Sequence, residues 1–336
     1  MTKEPFDERF AVTMFGYTNE LLAAQQTPVQ LLADLLATGL TKNIEIDGPQ
    51  HFRNFPQVSA AEVQQVTDLL AETGAKLTLV GGYADRALGS RIVPSAEVVE
   101  SLRQQLRLVA ALGGYGLRVQ ADAIRIDEVA VLAAEAETLG VSILLELQGS
   151  MTPDAPVVQA VLDVVATAAT PRVRLMFDSS LFMTRFPTPF TAALLGIGLS
   201  DQVIEGLQTD WKSKPLGQFR GDLISAVQTG QLTPAIQGFF PTFFSRFGHG
   251  VPEDWKDLLP LVDSVQLKFW ELADPDGGTL ENTRALIQQL EAVGYRGYYC
   301  SEWGGHEWYS IDQVPAAAAI SWHRDLVEME FGQFGS

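Results

Sequence analysis

Eight strand-like segments alternate with helix-like segments along the chain, and this alternation predicts an α/β fold in the form of a closed (β/α)8 barrel. Two further observations favour the barrel. A glycine ends most of the predicted helices, and a polar side chain ends each of the last four predicted strands. An open doubly wound sheet is the competing architecture. No G-x-G-x-x-G motif opens a helix after the first strand, so a dinucleotide-binding sheet has no support.

The predicted elements follow one another as repeated βα units. Strands are predicted at 10–16, 43–47, 76–82, 116–120, 141–146, 172–178, 264–269 and 297–302. Helices are predicted at 28–40, 60–74, 95–114 and 126–140 in the first half of the chain. Pro28 suits the first position of a helix, and Ser95 is placed to cap the third one.

The sixth and seventh strands are separated by roughly 85 residues, whereas one βα unit needs about 30. This stretch carries helical patterns near 193–208 and 219–230 and an aromatic run at 238–250. We therefore predict one barrel domain over 1–336 with an insertion, or lid region, at 180–258. Long functional loops are the usual reason for such insertions, so the segment could cover a substrate. A packed subdomain or an oligomer contact is the alternative, and these roles can coexist.

Composition limits the classes of function. The 336 residues carry a formal net charge of −18, which argues against nucleic acid or an anionic membrane as a partner. The single cysteine, Cys300, excludes intrachain disulfides and cysteine-based zinc sites, and its apolar strand predicts a buried side chain. No signal peptide or membrane-spanning run is visible, so we expect a cytoplasmic protein.

Four polar residues mark the ends of the last four predicted strands: Glu146, Asp178, Gln266 and Glu302. Because the carboxyl ends of barrel strands meet at the catalytic face, these side chains should lie on one arc. A carboxylate that ends an apolar strand is costly unless it binds something. Three carboxylates and one amide oxygen suit a hard divalent cation, with Mn²⁺ favoured and Mg²⁺ or Co²⁺ as alternatives. Each residue alone could simply face solvent where its strand stops.

Proton transfer next to a sugar carbonyl would suit such a site. A divalent cation can hold sugar oxygens and stabilise developing negative charge, and a neighbouring carboxylate can move a proton. We expect Glu146 and Glu302 to act as the two proton-transferring bases while also binding the metal. Lys268, on the same strand face as Gln266, either polarises a substrate oxygen or forms a structural ion pair.

Three of the four histidines fall in predicted loops at the catalytic face, namely His51, His249 and His306. His306 lies four residues after Glu302 and is the predicted general acid or base. His323 lies in a late helical pattern and is predicted to be structural. Aromatic residues crowd the same loops, as expected for a sugar site. Arginines also occur there, but no phosphate-cradling glycine motif accompanies them, so a phosphorylated substrate is not indicated.

These residues resemble the xylose isomerase-like TIM barrels, the sugar phosphate isomerase/epimerase superfamily, over nearly the whole chain. In this resemblance Glu146 in LLELQG matches the glutamate ligand, and Asp178 in MFDSS matches the aspartate. Gln266 in VQLKF takes the third ligand position, which is histidine in some members and glutamine in others, and Glu302 in CSEWGGH matches the last glutamate. Many members carry histidine where this chain has Leu181, so their histidine-based substrate contacts do not carry over.

The SEWGGH stretch and the long aromatic loops look closer to the catalytic subunits of C-glycoside deglycosidases. That branch cleaves 3-keto glycosides by elimination and works with a smaller partner subunit. The resemblance therefore implies a metal-dependent sugar isomerase or epimerase, or alternatively a lyase that cleaves a 3-keto C- or O-glycoside. The expected partners are a sugar or glycoside, and either further copies of the chain or a small partner subunit. A zinc-dependent AP endonuclease-like nuclease is disfavoured by the four histidines and the acidic charge, and a non-catalytic barrel by the four intact oxygen ligands.

Overall fold

Eight parallel strands form a closed barrel in the computed structural model of the chain, which describes residues 6–167, 170–272 and 278–334. The strands are β1 (Phe10–Thr13), β2 (Asn43–Asp47), β3 (Lys76–Gly81), β4 (Gly116–Gln120), β5 (Ser142–Leu147), β6 (Val173–Asp178), β7 (Val262–Phe269) and β8 (Tyr298–Trp303). Each strand pairs with its neighbours in sequence, and β1 closes the ring by pairing with β8. The predicted (β/α)8 barrel is therefore confirmed.

One long helix follows each strand except β6. These helices are Pro28–Ala37, Ala60–Thr73, Ser95–Ala111, Ile126–Leu139, Pro156–Thr167, Gly278–Ala292 and Ala316–Phe334. Short helical segments at Thr18–Ala23 and Gly48–His51 and a small hairpin of Ala87–Leu88 with Arg91–Ile92 lie in βα loops, and a further short helix, Phe6–Arg9, precedes β1.

Two sequence predictions about these elements were wrong. The first strand ends at Thr13 instead of residue 16, because Met14–Tyr17 turns into a 3-10 helix whose Phe15 amide donates to the Thr13 hydroxyl. Ser95 does not cap its helix, because it is already inside the helix. Its hydroxyl donates instead to Glu128 at 2.7 Å.

The barrel interior changes from apolar to polar along the strands. Leu79, Leu144 and Met176 form a small buried cluster inside the ring. Two residues further along β5 and β6 come Glu146 and Asp178, which share a strand face with Leu144 and Met176 because side chains alternate with a period of two. The polar layer therefore lies at the carboxyl ends of the strands, above an apolar floor.

The segment between Asp178 and Val262 builds a separate apolar cluster from three helices, Thr188–Gly196, Asp201–Ser213 and Leu216–Gln228. The single helical pattern predicted near 193–208 is two helices, because Gly198 adopts a positive φ of 90° between them. Short turns at Pro234–Phe239 and Thr242–Arg246 lead back to the barrel. The boundaries 180–258 for a lid region stay a prediction.

The returning end of this segment is fixed to the barrel by close backbone contacts. The Gly248 amide donates to the Ser180 carbonyl at 2.8 Å, and the Gly149 amide donates to the Ser180 hydroxyl at 2.9 Å. A Cβ at Gly248 would collide with the Gly149 carbonyl oxygen, so glycine is required for this approach. The contact holds the nearby Arg246 over the mouth of the barrel.

Candidate active site

Three buried carboxylates converge at the carboxyl ends of the strands. Glu146 on β5, Asp178 on β6 and Glu302 on β8 each present one oxygen, and these three oxygens lie within 4.8 Å of one another. All three side chains are at most 3% exposed. Like charges this close and this buried repel strongly, so the arrangement requires a cation or a shared proton.

Lys268 supplies one cation. Its Nζ lies 3.0 Å from Oδ2 of Asp178 and 2.7 Å from Oε1 of Glu302. Lys268 is buried and lies directly opposite Glu302 in the pairing of β7 with β8. The predicted ion pair between Lys268 and a carboxylate is therefore present, and it leaves Glu146 to a different partner.

That partner is Arg118 on β4, a residue that was not predicted to belong to the site. Its Nη1 lies 2.9 Å from Oε2 of Glu146, and its Nε lies 2.8 Å from Oε1 of Glu45 on β2. Its Nη2 lies 3.5 Å from Oδ2 of Asp47. All four side chains are buried. The available signal was the alternation of polar and apolar residues in NIEID and GLRVQ, which places these side chains on the inner face of their strands.

The buried charges do not balance. Around this point the described residues place five buried carboxylates, Glu45, Asp47, Glu146, Asp178 and Glu302, against two buried cations, Arg118 and Lys268. The formal excess is three negative charges in a region that is largely closed to water. A divalent cation would remove most of that excess, and the oxygen-only donor set suits Mg²⁺ or Mn²⁺. The residues present therefore fit a divalent metal.

Gln266 lines the cavity of this site. Its Nε2 donates to both carboxylate oxygens of Glu45, at 2.9 and 3.1 Å. Because an ionised carboxylate only accepts hydrogen bonds, the nitrogen must point at Glu45, and the amide oxygen is left for the cavity that Gln266 lines. The prediction that Gln266 ends its strand was wrong: β7 continues to Phe269, and Gln266 lies level with Asp178 and Cys300.

The protonation of the site reflects its excess charge. Burial raises the pKa of Glu302 to about 7, against the opposing effect of Lys268 and with further contributions from Asp178 and Glu146. Burial also raises the pKa of Glu146, more than Arg118 lowers it. Burial lowers the pKa of Lys268, but Asp178 and Glu302 outweigh this and raise it overall. Without a metal, the cluster therefore tends to hold a proton that a divalent cation would displace.

The site opens into a small cavity of about 40 Å³. It is lined by Phe15, Tyr83, Arg118, Gln120, Glu146, Gln148, Arg246, Gln266, Lys268 and Glu302. Arg246 comes from the segment between β6 and β7 and forms an ion pair with Glu307, which follows β8. A larger depression of about 520 Å³ lies at the opposite ends of β7 and β8 and is lined by none of the predicted site residues.

His306 is near the cavity but does not line it among the described residues. Its Nδ1 lies 2.8 Å from the Trp303 carbonyl oxygen, so Nδ1 carries the hydrogen and Nε2 keeps a free lone pair. Burial lowers the pKa of His306 to about 4, and its ring packs edge-on against Phe15, which does line the cavity. Its role as general acid or base stays a prediction.

The other three histidines pack against residues other than the site carboxylates. His51 is buried beside Phe52, and His249 packs against Trp211 in the apolar cluster of the inserted segment. His323 is fully buried, stacks on Phe269 and contacts the Ser301 hydroxyl, in keeping with a structural role. Cys300 is buried as expected.

Sequence comparisons find relatives that align with most of the chain. No protein-family model matches the chain. Over 336 aligned residues it is 24% identical to the 3'-dehydrocarminate deglycosidase alpha subunit of a Microbacterium species, covering 97% of this chain and 96% of that one. It is 26% identical over 309 residues to the C-glycoside deglycosidase alpha subunit of Microbacterium trichothecenolyticum, covering 88% and 83%.

Solved structures show the same architecture. A xylose isomerase-like TIM barrel protein from Mycobacterium smegmatis in complex with magnesium aligns with a TM-score of 0.55 at 13% identity, over 98% of each chain. A D-psicose 3-epimerase aligns with a TM-score of 0.54 at 11% identity, over 98% of this chain and 100% of that one. The chain thus has the (β/α)8 barrel fold of these structures. Its sequence is similar along most of its length to alpha subunits of C-glycoside deglycosidases. No helix among the described residues is long and apolar enough to cross a membrane.

Proposed function

We propose that this chain is a divalent-metal-dependent lyase that removes the proton next to the carbonyl of a 3-keto C- or O-glycoside and releases the aglycone. The observation that carries the proposal is the convergence of three buried carboxylate oxygens, from Glu146, Asp178 and Glu302, within 4.8 Å of one another. Elimination is preferred to isomerisation because the sequence relatives are named deglycosidases and align over nearly the whole chain.

Four residues would hold the metal: Glu146, Asp178, Gln266 and Glu302. A bound divalent cation would supply positive charge that holds substrate oxygens and stabilises negative charge as it develops on them. The chain's own groups must then take the proton, donate to the carbonyl oxygen and exclude water. Arg118 holds one oxygen of Glu146, which fixes the direction of the other.

Glu302 is the residue we assign as base. It lines the cavity, and Lys268 holds its Oε1 in a defined position. The carboxylate takes the proton from the carbon beside the carbonyl. The electron pair of that bond forms a double bond to the next carbon, whose bond to the aglycone breaks with both electrons leaving on the aglycone.

Lys268 is assigned to the substrate oxygen. An ammonium group has three hydrogens, and Asp178 and Glu302 account for two of them. The third is available to a carbonyl oxygen in the cavity that Lys268 lines. A donor fixed in a buried site costs no reorganisation when charge develops on that oxygen.

Isomerisation or epimerisation of a ketose is the second candidate. Glu146 and Glu302 come from β5 and β8, with β6 and its Asp178 between β5 and β7 in the ring. Two carboxylates on separate strands can take a proton from one carbon or face and return it at another. This candidate shares the first step with elimination and differs in what leaves.

One experiment separates the two reactions. The protein, loaded with Mn²⁺, is incubated in deuterated buffer with an aryl 3-keto glucoside or with a free ketose. Release of the aryl group supports elimination, whereas deuterium incorporation and a new epimer of the ketose support isomerisation. If the Mn²⁺-loaded protein forms neither product, the proposal is refuted. Protein treated with a chelator and the Glu302→Gln variant serve as controls.

We further propose that the chain works with a second, smaller subunit, since the relatives are named alpha subunits. The particle isolated from the native cells should contain a second kind of chain. Its mass, measured by light scattering, should therefore exceed the mass of an assembly built from this chain alone. A particle built only from this chain would refute the heteromeric assembly and leave homo-oligomerisation. This part of the proposal is independent of the chemistry above.

A further inference from the structure

One wall of the cavity is formed by a tyrosine that the proposed chemistry does not use. Tyr83 follows β3, lines the cavity and is 37% exposed. Its hydroxyl lies 3.1 Å from Oδ2 of Asp47, the last residue of β2. A half-exposed phenol held by a buried carboxylate at the mouth of a barrel is in a position to contact a ligand.

The hydrogen bond fixes the direction of the hydroxyl. Asp47 is buried, and its second oxygen accepts from the Gln50 amide at 3.4 Å. Burial raises the pKa of Asp47, and Arg118, the Tyr83 hydroxyl and the Gln50 amide act against that rise. With its one hydrogen donated to Asp47, the Tyr83 oxygen offers only lone pairs to the cavity. It can accept a hydrogen bond and cannot give one.

Two glycines make room for this arrangement. A Cβ at Gly81 would lie 2.5 Å from Nη2 of Arg118 and 3.1 Å from Oδ2 of Asp47. A Cβ at Gly82 would collide with Oε1 of Gln105. Neither glycine has a positive φ, so backbone conformation does not explain them. Because these glycines have no side chain, the side chains of Arg118, Asp47 and Gln105 can approach the backbone that immediately precedes Tyr83.

Gln105 holds that backbone in place from below. Its Oε1 accepts from the Tyr83 amide at 3.0 Å, and its Nε2 donates to the Tyr83 carbonyl at 2.8 Å. Gln105 itself is 1% exposed and lies inside the helix Ser95–Ala111. A buried side chain that satisfies both backbone groups of one residue leaves that residue little freedom. The phenol is therefore preorganised at the cavity wall.

We propose that the Tyr83 oxygen accepts a hydrogen bond from one hydroxyl of the sugar and so sets which way round the sugar binds. The inference rests on the proposed function only in taking the ligand to be a sugar that carries a carbonyl group. Lys268, a hydrogen-bond donor, lines the same cavity, so the carbonyl end of the sugar faces Lys268 and a hydroxyl faces Tyr83. A carbonyl, carboxylate or phosphate oxygen facing Tyr83 would have no hydrogen to donate, and such a binding mode is disfavoured. Gln105 is a positioning residue for Tyr83.

Binding of an unreactive sugar tests this without turnover. The probe is an aryl glucoside with all its hydroxyl groups, together with its monodeoxy analogues, titrated into Mn²⁺-loaded protein by calorimetry. Tyr83→Phe should bind the parent glucoside about tenfold more weakly, the size of one lost hydrogen bond. In the wild type, one monodeoxy analogue should bind about tenfold more weakly than the parent glucoside. That analogue should have the same affinity for Tyr83→Phe as for the wild type.

Tyr115→Phe is a matched control. Tyr115 is also 37% exposed and donates to an aspartate, Asp263, but it belongs to the depression at the opposite end of the barrel. Its substitution should leave every affinity unchanged. Gln105→Leu keeps the phenol but frees the Tyr83 backbone. It should therefore reduce the difference in affinity between the parent glucoside and that same deoxy analogue, and leave the differences for the other analogues unchanged.

Equal affinity of Tyr83→Phe and wild type for the parent glucoside would overturn the inference, as would a wild type that binds no glucoside. A deoxy penalty that persists in Tyr83→Phe would also overturn it. If keto glycosides and ketoses are not turned over but the Tyr83-dependent deoxy penalty is present, the proposed function fails and the assignment of Tyr83 stands.

Discussion

Lys268 and Glu302 lie directly opposite each other on β7 and β8, and Nζ of Lys268 is 2.7 Å from Oε1 of Glu302. Strand pairing fixes both backbones, so this contact forms with the barrel itself and does not await a substrate. Their side chains are 4% and 3% exposed. A charge pair this buried contributes little net stability as a pair, but the loss of one member leaves the other charge without compensation.

Replacing Lys268 by methionine should therefore destabilise the metal-free protein. Asp178 and Glu302 would lose their cation, and we expect the free energy of unfolding to fall by about 3 kcal/mol. Saturating Mn²⁺ should restore part of the loss. Urea unfolding with chelator and with Mn²⁺ measures both effects. Lys214→Met, at a surface lysine that is 28% exposed and contacts Asp210 and Asp222, is the control and should change little. Equal stability of Lys268→Met and wild type in chelator would contradict this account.

Glu146→Gln and Glu302→Gln should each abolish turnover and lower metal content while the fold is kept. Each substitution removes one negative charge from a site with a formal excess of three. The metal-free variants should therefore lose free energy of unfolding only through the weakened ion pair, with Arg118 for Glu146→Gln and with Lys268 for Glu302→Gln. Metal per chain by elemental analysis, circular dichroism and turnover of a keto glycoside are the measurements. Glu328→Gln, on an exposed helix surface, is the matched control. Full metal content in both variants would remove these carboxylates from the site.

The sequence predicted the barrel and the three carboxylates that converge in it, because both leave a recognisable pattern along the chain. Strand–helix alternation is repeated eight times, and a carboxylate at the end of an apolar strand such as VSILLE stands out. Gln266 lines the same cavity, and its role as a metal ligand stays a prediction. Its place in the strand was predicted wrongly, since a polar residue within a strand and one at its end look alike when the strand boundary is uncertain.

Arg118, Glu45 and Asp47 were not predicted as parts of the site. Each lies within a short strand of mixed polarity, where alternation is equally typical of a strand with one solvent-facing side. Their convergence depends on the closure of the ring, which brings β2 within reach of β4 and β7 through the interior. Tyr83 gave no signal because its role depends on Asp47, 36 residues earlier, and on Gln105, 22 residues later.

Arg118→Lys should weaken metal binding although it keeps the charge. Arg118 contacts Glu45, Asp47 and Glu146 through three different nitrogens, and a single ammonium cannot reproduce this fork. Loss of an orienting partner of a metal ligand costs about 10- to 100-fold in metal affinity. Competition with a fluorescent chelator measures this affinity. Arg103→Lys, at a surface ion pair with Glu135, should leave it unchanged, and an unchanged affinity in Arg118→Lys would show that Glu146 needs no such support.

His51→Met should make the protein less sensitive to acid. His51 is 7% exposed, and neither ring nitrogen has a hydrogen-bond partner among the described residues. Burial lowers the pKa of His51 to about 4, whereas an unfolded histidine titrates near 6.5. Between these values the unfolded chain binds more protons than the folded one, so stability falls as the pH drops through that window. The full contribution, reached below pH 4, is about 3 kcal/mol.

Urea unfolding of wild type and His51→Met at a series of pH values between 8 and 4 measures this contribution. The two proteins should differ least near pH 8, and the variant should gain relative stability as the pH falls. His249→Met is the comparison, because His249 is exposed whereas His51 is buried. Burial and the charge of Lys212 lower the pKa of His249, while a backbone hydrogen bond acts against them. Parallel curves for wild type and His51→Met would mean that the buried imidazole is solvated or protonated in the folded chain. In that case His51, one of the three loop histidines at this rim, would again be a candidate for proton transfer.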